Sequence, residues 1–222
     1  MEDNEKKKTK KKIGILFILL LISFFVFLFL WMNRHNFLKN GNTTRENKEG
    51  VVDTILNMRS YEADMEVTIK SNKTTNTYQL KQYYVAPNLT KQIVINPDSI
   101  KGLTTIYDGQ RLKIENTKLD LNTIYEHDTY LTENVLFLNM FVEDYLEFRE
   151  ESSQKEEKEK IVLTTKTKNE KNQYLIKKTL YLDKKTGKPT KMEVQDVNQN
   201  ITVYILYNEI KINQTKQEEI QK

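Results

Sequence analysis

Residues Ile13 to Met32 read IGILFILLLISFFVFLFLWM, twenty residues with no charge and one hydroxyl, Ser23. A helix of about 20 apolar residues crosses the roughly 30 Å hydrocarbon core of a bilayer. No solvent face is marked in the run, so a buried helix of a soluble fold is a poor alternative. The expectation is a membrane anchor, with Ile13, Leu20, Phe25, Leu30 and Met32 among the lipid-facing residues. Lys6, Lys7, Lys8, Lys10, Lys11 and Lys12 precede it, and only Arg34, His35 and Lys39 follow closely. Basic residues stay on the cytoplasmic side, which puts the N-terminus inside and the bulk of the chain outside, in a single pass. A cleaved export signal has a similar plan. Here, however, the apolar stretch is longer than the roughly 7–15 residues usual for a signal, and no small-x-small cleavage site follows it. An uncleaved anchor is therefore favoured.

The organisation expected is a basic cytoplasmic tail (1–12), the anchor (13–32), a polar tether (33–49), an extracytoplasmic domain (50–213) and a polar tail (214–222). There is no cysteine. Disulfides, thiol catalysis and thiolate metal sites are thereby excluded, as is a lipid-modified N-terminal cysteine. The net charge is +4. Most of it sits in the N-terminal tail, so the outer part is near neutral and carries no nucleic-acid footprint.

Within the domain, Val51, Val52, Ile55, Leu56 and Met58 have helical spacing, which predicts a short helix over Gly50 to Arg59. The period then drops to two. Tyr61, Ala63, Met65, Val67 and Ile69 alternate with Glu62, Asp64, Glu66, Thr68 and Lys70, a strand with one wet face. Further strands are expected at Tyr78 to Val85, Thr90 to Ile95, Leu103 to Tyr107 and Arg111 to Asn116. The last two join through Asp108-Gly109, a tight hairpin signal. Short connections make this five-strand meander antiparallel. A helix follows, capped by Thr132 and running through Leu146, with apolar residues over more than one face. Residues 150–160 read as a solvated charge run, a loop or frayed helix end. Strands resume at Ile161 to Thr167, Tyr174 to Asp183, Thr190 to Asp196 and Ile201 to Ile212, and the polar tail from Asn213 is expected to be disordered. So many strands predict an α+β, mainly β fold: a curved antiparallel sheet, an open half-barrel, with a helix across its concave face.

Catalytic chemistry is not evident. His127 lies between Glu126 and Asp128, yet no second histidine or cysteine joins it, and a surface loop residue is the simpler reading. Asp144, among the apolar residues of the second helix, is read as a helix-surface charge, with a functional acid as the alternative. No glycine-rich phosphate loop exists. No cofactor, metal or catalytic residue is assigned. The candidate concave-face or partner-binding residues are Tyr61, Met65, Val67, Tyr78, Leu80, Tyr84, Phe137, Phe141 and Tyr145. They form either ordinary core or a groove for an apolar ligand or protein partner.

The pattern resembles the LolA-like lipoprotein-carrier superfamily over about Val51 to Asn213. The carrying features are SYEADMEVTIKSN, YQLKQYYVAPNLTKQIVINP, the YDGQRLKIEN hairpin, the helix NVLFLNMFVEDYL and the closing strand YILYNEIKIN. In style it is most similar to the GerS-like germination proteins of spore-forming clostridia. That resemblance implies a non-enzymatic protein whose fold serves as partner of a cortex amidase, CwlD, rather than as a lipid ferry. Two departures stand out: the lipoprotein cysteine is missing, and a fixed anchor does not suit a shuttle. The leading expectation is a membrane-anchored accessory protein of the cell envelope with a cell-wall amidase as partner. A tethered carrier or sensor of lipid is the rival, and an enzyme comes third.

Overall fold

The computed structural model of the chain describes residues 46–126, 134–168 and 172–220. The anchor expected at 13–32, its basic flank, and His35, His127, Asp128 and Thr132 lie outside them. Among the described residues no helix is long and apolar enough to cross a membrane.

Alternation sets the architecture. In β1 (Ser60–Lys70), Tyr61, Ala63, Met65 and Val67 are buried while Glu62, Asp64, Glu66 and Thr68 between them keep contact with water. Such a strand needs neighbours on both edges, and it has them. β2 (Thr75–Val85), β3 (Leu89–Asn96), β4 (Thr104–Tyr107), β5 (Arg111–Asn116) and β6 (Leu121–Glu126) continue from one edge as a meander. β7 (Ser153–Glu156), β8 (Lys160–Lys166), β9 (Lys177–Asp183) and β10 (Pro189–Gln195) form a second meander that ends in β11 (Ile201–Ile212). β11 pairs with the other edge of β1, with Tyr61 opposite Ile212 and Ile69 opposite Val203. Among the described residues the result is one antiparallel sheet of eleven strands, ordered β6-β5-β4-β3-β2-β1-β11-β10-β9-β8-β7.

Bulges bend it. One extra residue, Asn208, sits in β11 opposite the Asp64–Met65 step, and others interrupt the β2–β3, β9–β10 and β10–β11 pairs. A bulge raises local twist and bends its strand, which curls a wide sheet into a half-barrel. The expected Asp108-Gly109 hairpin is present: Asp108 Oδ1 accepts from the N–H groups of Gln110 and Arg111, and Gly109 takes φ 101°.

Among the described residues three α-helices accompany the sheet: α1 (Glu46–Leu56), α2 (Leu138–Glu147) and α3 (Gln217–Ile220). Ile55 of α1 and Leu138 and Phe141 of α2 are fully buried in one cluster with the inward row of the sheet. That row includes Leu163 on β8, Leu180 and Leu182 on β9, Met192 on β10 and Ile205 on β11, all at 0 % exposure. The core therefore lies between the concave face and the helices laid into it.

Several details differ from expectation. The charge run 150–160 contains β7, an edge strand whose four residues are all exposed, so it carries no burial signal. β6 extends the first meander to six strands. Residues 174–176 precede β9 as a turn instead of belonging to it. α2 starts at Leu138, with Phe137 in the capping position and no side-chain cap of its own. The stretch beyond Asn213 is ordered through Ile220: α3 lies against β2 and β3, and Ile220 is completely buried.

Candidate functional site

The concave face brings the nine candidate residues together, and it does so around α2. Tyr61, Val67, Phe137 and Phe141 are fully buried; Met65, Leu80, Tyr84 and Tyr145 are nearly so, and Tyr78 packs partly buried at the margin. Tyr61 and Tyr84 face each other with ring centroids 5.7 Å apart, and Phe141 and Tyr145 stack at 6.0 Å. Burial pushes the Tyr84 and Tyr145 hydroxyls above the ordinary phenol range. The half-barrel is thus filled by its own helix.

Tyr61 is the hinge of this arrangement. A helix start leaves backbone N–H groups without intrahelical partners. The first residue of α2 solves this across the core: the Leu138 N–H donates to the Tyr61 hydroxyl at 3.2 Å. That hydroxyl in turn donates to Gln82 Oε1 at 2.7 Å, and Gln82 Nε2 donates to Gln92 Oε1 at 2.9 Å. A polar relay from β1 through β2 to β3 thereby fixes where α2 begins. Two other buried polar atoms, Asn139 Oδ1 on α2 and the Tyr207 hydroxyl on β11, have no hydrogen-bond partner among the described residues. Complete burial holds the Tyr207 hydroxyl far above the usual phenol range.

The second tether overturns the surface reading of Asp144. Its carboxylate meets Lys178 Nζ at 2.7 Å, with both side chains only 3 % exposed. Lys178 also donates to the Met140 carbonyl at 3.3 Å. Burial depresses the Lys178 pKa, and the Asp144 charge partly offsets this. Sequence reasoning missed Lys178, although the signal was there: in KKTLYLD it shares the inward parity of Leu180 and Leu182. Sealed from solvent, the pair cannot reach a substrate, and it acts as a polar pin between α2 and β9. Lys168 joins Glu147 at 2.6 Å on the helix's outer side.

Among the described residues no group of three or more His, Asp or Glu could hold a metal. What remains available lies outside the core. The two sheet edges differ: β7 is short and polar, whereas β6 exposes Leu121, Ile124 and Tyr125. On the convex face Lys191 Nζ stands 4.0 Å from the centre of the Tyr181 ring. The Tyr181 hydroxyl donates to Glu193 Oε2 at 2.9 Å, and its pKa is raised to about 12, first by burial and then by that carboxylate. At the end of the concave face, where β1 turns into β2, a cavity of about 460 Å³ opens between that turn and residues 172–175.

The curved sheet is thus plugged by its own helix, with apolar surface left at one edge and at one end. The chain belongs to the family described as sporulation protein YdcC-like, whose model matches residues 12–220. No curated protein matches it. Among solved structures it is similar to that of the CwlD amidase from Clostridioides difficile in complex with the GerS lipoprotein, at 28% identity and a TM-score of 0.48, covering 76% of this chain and 95% of that one. An uncharacterised conserved protein from Thermus thermophilus gives 10% identity and a TM-score of 0.49, over 80% and 94% of the two chains. A LolA superfamily protein from Nitrosomonas europaea gives 11% and 0.41, over 78% and 97%.

Proposed function

We propose that this chain is a membrane-anchored, non-enzymatic accessory protein of the cell envelope that binds a spore-cortex amidase during sporulation and germination. Its place in sporulation follows the family. The observation that carries the accessory reading is the filled concave face: α2 occupies the half-barrel, with Phe137, Leu138 and Phe141 fully buried. Apolar surface that a carrier would offer to lipid is here satisfied by the chain's own helix, pinned by Tyr61 and Lys178. The amidase is named from the sequence resemblance to the GerS-like proteins. The apolar run 13–32 and its lysine flank support an anchor with the N-terminus in the cytoplasm and the domain outside.

The test is capture of the full-length chain, solubilised from membranes of sporulating cells, with bound proteins and lipids both identified by mass spectrometry. A stoichiometric amidase without lipid is the expected result. Tightly held lipid with no protein partner would overturn the accessory reading and require α2 to leave the concave face.

A further inference from the structure

The cavity at the end of the concave face is floored by Ile69 of β1, Val203 of β11 and Leu175 of the segment before β9. Its walls are held in place by hydrogen bonds between elements. Thr202 Oγ1 donates to the Tyr174 carbonyl at 2.7 Å, the Ile176 N–H to the Gln195 carbonyl at 2.9 Å, and the Val197 N–H to the Gln173 carbonyl at 3.0 Å. On the opposite wall the Ser71 N–H donates to the Thr74 carbonyl at 2.9 Å and closes the β1–β2 turn. The pocket is thus preformed, and its size falls within the range of about 300–1,000 Å³ typical of binding pockets.

Apolar surface does not stop at its mouth. Tyr174 is 59 % exposed, Val197 beside it 52 % and Ile69 36 %. A small ligand seated in the pocket would leave Tyr174 and Val197 in water. A macromolecular surface would cover pocket and surround together, and an exposed tyrosine beside an apolar pocket has the character of an interface hot spot. Two lysines, Lys70 and Lys73, stand on the rim; both are exposed, and neither pairs with a carboxylate among the described residues. Some other lysines of this sheet are paired, as Lys81 is with Glu62 and Lys191 with Glu193. The rim therefore carries a free positive charge around an apolar hole.

We infer that this pocket is the docking point for a protein partner, and that it receives an apolar side chain flanked by carboxylates. The inference rests on the accessory reading above and names the surface and the chemistry through which that partner is held. Rim charges of this kind act chiefly on association rate and salt dependence, while the apolar anchor sets the lifetime of the complex.

The test places a photo-crosslinking phenylalanine analogue at Tyr174 of the full-length chain in sporulating cells. The crosslinked peptide is then identified by mass spectrometry. The expected product is a protein segment with an apolar residue and at least two carboxylates within a few positions of the crosslink. Lys70→Glu with Lys73→Glu, both exposed, should slow association of the captured partner about tenfold at low salt and flatten its salt dependence. Lipid as the crosslinked species, a segment without acidic residues, or no crosslink at residue 174 would each overturn the inference. If the charge-reversed variant still captures the same partner at the same rate, the pocket is not the docking point, though the accessory reading stands. Failure to capture any protein in the solubilised-chain experiment would instead remove the accessory reading.

Discussion

Replacing Lys178 with methionine deletes an ammonium that is 3 % exposed and leaves the Asp144 carboxylate facing an apolar interior with no counter-charge. Breaking a buried pair from one side costs about 3–5 kcal/mol, because the remaining charge stays desolvated. The Met140 carbonyl loses a donor in the same step. For a domain of this size each kcal/mol moves Tm by about 2–4 °C, so Lys178→Met should lower Tm by about 6–20 °C. The double variant Asp144→Leu, Lys178→Met removes both charges and should return to wild-type stability or exceed it by about 1–4 kcal/mol. Circular dichroism melts of the full-length chain in detergent give all the values of this cycle, including Asp144→Leu alone. The pH dependence supplies an independent check. Because the folded-state pKa of Lys178 lies below the ordinary 10.5, the unfolded chain holds its proton to higher pH. The cost of burying the charge is fully present below the folded-state pKa and is relieved as pH rises from there toward 10.5, so wild type should gain stability relative to Lys178→Met across that window. A single-variant loss below about 1 kcal/mol, or a double variant no better than the worse single, would refute the view that α2 is pinned by a desolvated pair.

Tyr61→Phe keeps the ring but strands the Leu138 N–H and the Gln82 carbonyl oxygen; urea unfolding should show a loss of about 1–3 kcal/mol. Two glycines should respond with opposite sign. Gly187 has φ +72° and a Cβ there would meet Val51 Cγ1 at 3.1 Å, so Gly187→Ala should cost about 1–2 kcal/mol or more, whereas Gly50, inside α1 with open space around it, should gain about 0.5–1 kcal/mol as alanine in the same urea assay. Tyr181 should ionise near pH 12, well after an ordinary phenol at 10.0, and its absorbance step should vanish in Tyr181→Phe. Since the folded state keeps this proton longer, the stability it contributes is lost as pH climbs from about 10 to about 12.

The inward rows of β1 and β2 were legible in the sequence because strict alternation leaves one reading. β11 was legible only in part. Val203, Ile205 and Tyr207 keep odd parity, then Ile210 and Ile212 continue inward on even parity. The three-residue step from Tyr207 to Ile210 is the mark of the bulge at Asn208, visible once the partner strand is known. Edge strands β6 and β7 escaped because an edge residue need not be buried: Ser153 to Glu156 look like any solvated run until their hydrogen bonds to β8 are seen. Asp144 escaped for the opposite reason. A charge among Phe141, Val142 and Tyr145 reads as a helix-surface break unless its counter-charge is found, and Lys178 is on a strand far along the chain. Ile220 is a single apolar residue in a polar tail, too little for any periodicity to register. The aromatic residues pack in one cluster with α2, and their spacing in the sequence could not say whether that helix would fill the half-barrel or leave it open.

The seam between β1 and β11 joins the first strand of the sheet to the last. The Arg59 N–H reaches the Asn213 side chain across 154 positions of chain, and the Asn213 N–H returns a bond to the Ser60 carbonyl. Until residues 201–212 have been made, the two meanders share no ladder, and the chain carries two half-sheets, each exposing one wide inner edge. Pairing at such separation is slow to form, since a long loop must close before any bond repays it. A premature stop between Gln195 and Ile201 would therefore release two open templates for strand addition in place of a shortened domain.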